Sequence, residues 1–283
     1  MSQRTDPVAL RWLIGGEMAR FRERSGLSLL DVAQKTNIGK TKLGHMEVGR
    51  YNQDPADVQA VLTACETPPL EIERLCSIAT KPTGRSWWYR WRSVVPEWLG
   101  LYLGLEGLAS RLFVYELTSI HGLVQTRRYA EAITAHAALV DADDVDRLVA
   151  LRLARAERLI VSPRLEYHLV LDESALQRSL GDSLLMVEQL DHLLDVSRRP
   201  NVRLQVMPFD RALHAGASMG NYAILDFDVL SGVAYSELYD DALFIRDPGK
   251  LKSYRMAAQH SIDTALSPAQ SRTLLEKRRK ELA

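Results

Sequence analysis

Several features that would fix the class of this chain at once are missing from it. It has only two cysteines in 283 residues, Cys65 and Cys76. Both lie in apolar helical patterns with no further Cys or paired His at ligand spacing, so a disulfide framework and a metal site are poorly supported and the two read as packing residues. No apolar run approaches the roughly 18–20 residues needed to cross a bilayer, and charges interrupt the first 24 residues, which argues against a secretory signal. A cytoplasmic protein is therefore expected. Catalytic signatures are absent too: there is no HExxH, no GxSxG and no glycine-rich phosphate loop, and the histidines are scattered. The best catalytic-looking pairs, Asp172 with Glu173 and Asp210 with His214, are more economically a turn cap and a polar loop. We expect no enzyme and no cofactor. Net charge of one sign is also missing, with 36 basic against 36 acidic residues.

What is present is 46% hydrophobic and 25% charged residues, the balance of a globular chain long enough for two cores. The neutral total hides a local asymmetry. Residues 1–50 hold nine bases against five acids, residues 51–80 one base against five acids, and "KPTGRSWWYRWR" four bases and no acid. Phosphate binding depends on such a local field rather than on the total. Residues 96–283 hold 22 bases against 26 acids and offer no polyanion surface.

Leu10, Leu13, Ile14, Met18 and Phe21 form the stripe of an amphipathic helix that should stop at Ser25-Gly26. Ser28 stands as an N-cap with Asp31 three residues on, opening a short second helix with Val32 and Ala33 inward. Asn37-Ile38-Gly39 makes a turn, and a third helix from about Lys40 to Val48 buries Leu43 and Met46. Asp54-Pro55 opens a fourth helix and Pro68-Pro69 precedes a fifth. Through "FRERSGLSLLDVAQKTNIGKTKLGHMEVGR" the sequence resembles the phage-repressor (Cro-like, XRE-type) helix-turn-helix family. The resemblance implies a lambda-repressor-like, all-α bundle and an ion pair of Arg22 with Glu47 that locks the first helix to the recognition helix. It places Lys40, Thr41 and His45 at base edges in the major groove, with Ser28, Lys42 and Arg50 left for phosphates. Gly44 sits mid-helix where relatives usually carry a polar side chain, at a cost of about 1 kcal/mol relative to alanine.

Residues 81–96 read as a linker rich in Trp and Arg. Interleaved arginine and tryptophan suit stacking on single-stranded nucleic acid, but amphipathic packing between domains is the stronger reading. Beyond it helices and strands alternate. Helices are expected at Glu97 to Arg111, Arg128 to Ala138, Asp143 to Leu159, around Leu184 to Val196, Pro248 to Leu266 and Pro268 to Leu282. Five strands are expected, in "RLEYHLVLDESAL", "NVRLQVMPF", "NYAILDFD", "GVAYSELYD" and "ALFIRD". The order of landmarks "SWWYRW", "EWLGLYLGLEGLAS", "YELTSIHGLVQTRRYAEAI", "VALRLARAERL", "RPNVRLQVMPFD" and "HAGASMGNYAILDF" is similar to the domain of unknown function found behind XRE-type modules in actinomycete regulators, some described as antitoxin-like.

The expected fold is thus an N-terminal all-α helix-turn-helix bundle (residues 1–80), the linker, and a mixed α/β C-terminal domain (97–283). The resemblance implies a transcriptional regulator that binds double-stranded DNA, nucleoid-associated when bound, and that can bind a small partner protein of a companion family. A homodimer on a palindromic operator is expected, because one module reads only a few base pairs. An antitoxin-like protein that mainly sequesters a partner, and a ligand-gated sensor, are the competing readings.

Overall fold

A computed structural model describes residues 6–79, 84–137, 140–161, 165–178, 180, 182–211 and 215–283. Among the expectations, Arg4, residues 81–83 of the linker and His214 lie outside the described residues. The N-terminal part is five helices, α1 (Pro7–Arg24), α2 (Leu29–Thr36), α3 (Lys40–Glu47), α4 (Pro55–Ala64) and α5 (Pro69–Ala79). Their ends follow from local chemistry. The Asp6 carboxylate accepts from the amides of Val8 and Ala9 at 3.1 and 2.9 Å, and Pro7 opens α1 with a preset φ. Ser28 and Asp31 cap α2 reciprocally. Asn37, at φ 56°, closes α2 in the left-handed region that a short polar side chain tolerates. Gly49 follows α3 at φ +74°, and a Cβ there would lie 2.7 Å from the Trp12 backbone, so both conformation and space call for glycine.

The C-terminal part is built on one six-stranded sheet of order β3-β2-β1-β4-β5-β6. Its strands are β1 (Arg111–Glu116), β2 (Glu166–Asp172), β3 (Val202–Met207), β4 (Tyr222–Asp226), β5 (Val233–Glu237) and β6 (Ala242–Ile245). β1, β2 and β3 run parallel, and β4, β5 and β6 add on antiparallel. The helices are α6 (Glu97–Leu108), α7 (Arg127–Ala135), α8 (Val145–Val161), α9 (Glu173–Gln177), α10 (Ser183–Val196), α11 (Pro248–Thr264) and α12 (Pro268–Leu282). Strand alternation sends Leu112 and Val114 into the main core with α6, α10 and α12, and Tyr115 into a second layer with Leu251 and Ala258 of α11.

One expectation needs correction. The helix expected to run from Glu97 to Arg111 ends at Leu108, and Arg111–Glu116 is a sixth strand that the sequence reading did not assign. It lies in the middle of the sheet between β2 and β4, which is why "LFVY" is a continuous apolar run that breaks only at Glu116, the last residue of the strand.

The two parts share an element. Ala9 and Leu13 of α1 belong to the core of the C-terminal part, whereas Ile14, Met18 and Phe21 of the same helix belong to the core of the bundle. α6 lies against the first turns of α1: a Cβ at Gly104 would sit 2.7 Å from Ala9 Cβ. Polar bonds reinforce the seam. Trp88 Nε1 donates to Asp6 at 3.0 Å, the Ser231 amide to Glu17 at 2.9 Å, and Arg246 to the Trp12 carbonyl at 3.1 Å. The tryptophans of the linker are spent on packing. Trp91 is buried, Trp87 Nε1 donates to the Leu103 carbonyl at 3.0 Å, and Arg90 covers the Trp91 ring at 3.8 Å.

Candidate nucleic-acid interface

The candidate interface is α3, held by one face and open on the other. Leu43, Met46 and Glu47 are buried, while Lys40, Thr41 and Lys42 are exposed on its first turn. The hold on the buried face is electrostatic as well as apolar. Arg22 Nε lies 2.6 Å from Glu47 Oε1 and Nη2 lies 2.8 Å from Oε2, a bidentate fork, and Nη1 donates to the Leu27 carbonyl at 3.1 Å. The carboxylate raises the Arg22 pKa against the opposing effect of burial. Gln53 adds a clamp, donating from Nε2 to the carbonyls of Arg11 and Met46 at 2.9 and 2.6 Å. α3 is thereby tied to α1 at its C-terminal end and leaves its N-terminal turn projecting.

The other expected site residues differ in how free they are. Lys40, Thr41 and Arg50 are exposed, and Lys40 and Arg50 make no ion pair among the described residues. Lys42 is engaged, with Nζ 2.6 Å from Asp57 Oδ2 of α4. The Ser28 hydroxyl is used as a cap, donating to Asp31 Oδ2 at 2.7 Å and accepting from the Asp31 amide at 3.2 Å. His45 is half-buried, edge-on to the Tyr51 ring at 4.8 Å, and its Nδ1 is buried without a partner. Its ring partner Tyr51 lies just past the C-terminal end of α3.

The count of nine bases in residues 1–50 therefore overstates the free positive charge. Arg22 is held by Glu47, Arg20 by Glu17, and Arg11 donates to Gly49 and Asn52. Sequence reasoning missed Asp57, Gln53 and Tyr51 as neighbours of α3. Asp57 sits fifteen positions after Lys42 on another helix, so no local spacing announces the pair.

The C-terminal part contains a second buried fork. Arg155 of α8 meets Glu106 of α6 at 3.1 and 2.8 Å, and Arg158 donates to the Ala109 carbonyl. Beside it His121 bonds the Tyr167 hydroxyl through Nδ1 at 2.8 Å. Burial, and then the nearby Arg155, push the His121 pKa down to about 3, so the ring is neutral. No group of three or more His, Cys, Asp or Glu among the described residues could hold a metal ion, and no described helix is long and apolar enough to cross a membrane.

Comparison with known families matches residues 13–75 to a helix-turn-helix domain and residues 99–277 to a domain of unknown function, DUF5753. No curated protein and no solved structure matches the chain.

Proposed function

The chain belongs to the DUF5753 family, and from that premise and the helix-turn-helix ahead of it we propose a sequence-specific DNA-binding transcriptional regulator. One observation carries the reading. α3 is fixed to the core by the Arg22–Glu47 fork while its first turn, with Lys40 and Thr41, faces outward. That is the presentation a recognition helix needs in a major groove. Lys40 donates to guanine O6 and N7, and Thr41 touches a thymine methyl. Lys42, Ser28 and Arg50 take phosphates, Lys42 by exchanging Asp57 for the DNA. His45 joins the base contacts only if it leaves Tyr51.

The regulator works as a homodimer on a palindromic operator, because two modules one helical turn apart supply the affinity that one lacks. The C-terminal part carries the dimer contact and a surface for a small partner protein, in the manner of the XRE-type, antitoxin-like actinobacterial regulators the sequence resembles. A cytoplasmic location follows from that role. The test is binding of the full-length chain to a fragment spanning its own promoter, titrated across salt against a scrambled duplex. Specific binding supports the regulator; equal binding to both duplexes refutes it. A ligand-gated regulator is the second reading, favoured by a cavity of about 770 Å³ in the C-terminal part.

A further inference from the structure

The cavity lies beyond the C-terminal ends of β1 and β5, under α6 and α8, and its volume is that of pockets that enclose small organic molecules. Sheet register explains its floor. Val114, Ala223 and Tyr235 stand in one row across β1, β4 and β5. Two residues on, Glu116, Asn221 and Glu237 make the next row on the same face, past the end of the packed core. The Leu117 amide donates to Asn221 Oδ1 at 2.8 Å, which fixes that row. Glu116 and Glu237 therefore face the cavity with one strand between them, roughly 10 Å apart at the backbone.

Three observations define what would bind. First, the lining carries five carboxyl side chains (Glu116, Asp141, Asp144, Glu237 and Asp240) against two guanidiniums, and Arg155 is already held by Glu106. The neutral His121 adds no positive charge. Second, two acceptor oxygens in the lining are buried without a hydrogen-bond partner, Glu116 Oε2 and Gln125 Oε1, and Gln125 as a whole is only 3% exposed. Its Nε2 is occupied by the Ile120 carbonyl at 2.6 Å, so only the acceptor end is open. Unsatisfied buried acceptors are costly, and an N–H donor arriving from a ligand would relieve that cost. Third, Trp98, Tyr102, Tyr235 and Tyr239 line the same space. Tyr102 and Tyr235 stack at 4.2 Å with the Arg155 guanidinium over the Tyr102 ring at 5.4 Å, so this wall already holds one cation, and aromatic rings attract cations.

We infer that this cavity is a binding site for a small organic cation, an amine or guanidine on an apolar or aromatic body, with its charged head donating to Glu116 and Gln125. The body lies along Trp98 and Leu99 of α6, and Glu237 draws the charge in from the mouth. The inference stands apart from the DNA-binding reading, since its test contains no DNA and reads the effect of cavity residues.

The experiment is isothermal calorimetry on the full-length protein with tryptamine, phenethylamine and agmatine. Indole-3-propionate serves as the anionic counterpart of tryptamine and tryptophan as its zwitterion. We expect at least one amine to bind and indole-3-propionate not to, with tryptophan weaker than tryptamine. Glu116→Gln, which keeps shape but removes the carboxyl that a bound amine would ionise, lowers amine affinity tenfold or more. Glu237→Gln at the exposed mouth cannot be blamed on misfolding and lowers it several-fold. Binding of none of the three amines, equal binding of indole-3-propionate and tryptamine, or affinity unchanged within twofold in both variants overturns the proposal.

Discussion

Removing Glu47 should loosen the hold on α3. In Glu47→Ala, the Arg22 guanidinium keeps only the Leu27 carbonyl at 3.1 Å and the exposed Glu23 at 3.4 Å. The paired side chains are 13% and 9% exposed, so the orphaned charge is mostly out of water. Breaking a buried pair costs about 3–5 kcal/mol. Glu23 offsets part of this, which places the loss near the lower bound, about 3 kcal/mol. With a urea m-value of about 1–3 kcal/mol/M, the unfolding midpoint should fall by about 1 M or more. Arg22→Lys keeps the charge but lacks the planar fork and should lose an intermediate amount. The apolar double variant Arg22→Met with Glu47→Leu should recover most of the loss, because the desolvation penalty goes with the charges. The assay is urea denaturation followed by far-UV circular dichroism, arranged as a double-mutant cycle. A loss below about 1 kcal/mol for Glu47→Ala, or a double variant as unstable as the sum of its singles, would refute the argument.

Three further expectations follow from the geometry. Lys40→Ala weakens operator binding far more than binding to scrambled DNA, whereas Asp57→Asn frees Lys42 and strengthens both, as anisotropy titrations across salt would register; no change in either variant removes the proposed docking. Gly44→Ala stabilises the protein by roughly 0.5–1 kcal/mol: a Cβ there meets only Leu29 Cδ1 at 3.8 Å, and a lower melting temperature would contradict it. Burial first, and then Glu237, push the Glu116 carboxyl up to about 8, with Arg152 and Arg155 of α8 opposing. Because the folded pKa lies above the unfolded one, the protein loses stability as pH rises toward and through 8, by at most about 1.4 kcal/mol per pH unit. Glu116→Gln should therefore melt progressively higher than the wild type between pH 5 and 8, and a constant difference would refute this.

The bundle was legible because its signals are local. Ser28 and Asp54 cap helices within a few residues of themselves, and the apolar stripe of α1 repeats every three or four positions. β1 was not legible: it follows α6 after only Ala109 and Ser110, and its apolar run carries neither helical nor alternating period. The linker's tryptophans could be read as packing residues, but their partners, Asp6 and Leu103, could not be named. The fork of Arg155 with Glu106, and the row of Glu116 and Glu237, join residues 49 and 121 positions apart. Only the packing of α8 on α6 and the register of the sheet bring such residues together, and no spacing in the chain encodes either.

The sharing of α1 between two cores bears on how the protein can be divided. A fragment cut at residue 80 would take α1 away from α6 and expose Ala9 and Leu13, while a fragment beginning at residue 97 would lack the helix that covers Gly104. Neither half is a finished object. The seam along which the molecule could come apart runs through the middle of a helix, so the reader of DNA and the domain behind it should melt, and be inherited, as a single piece.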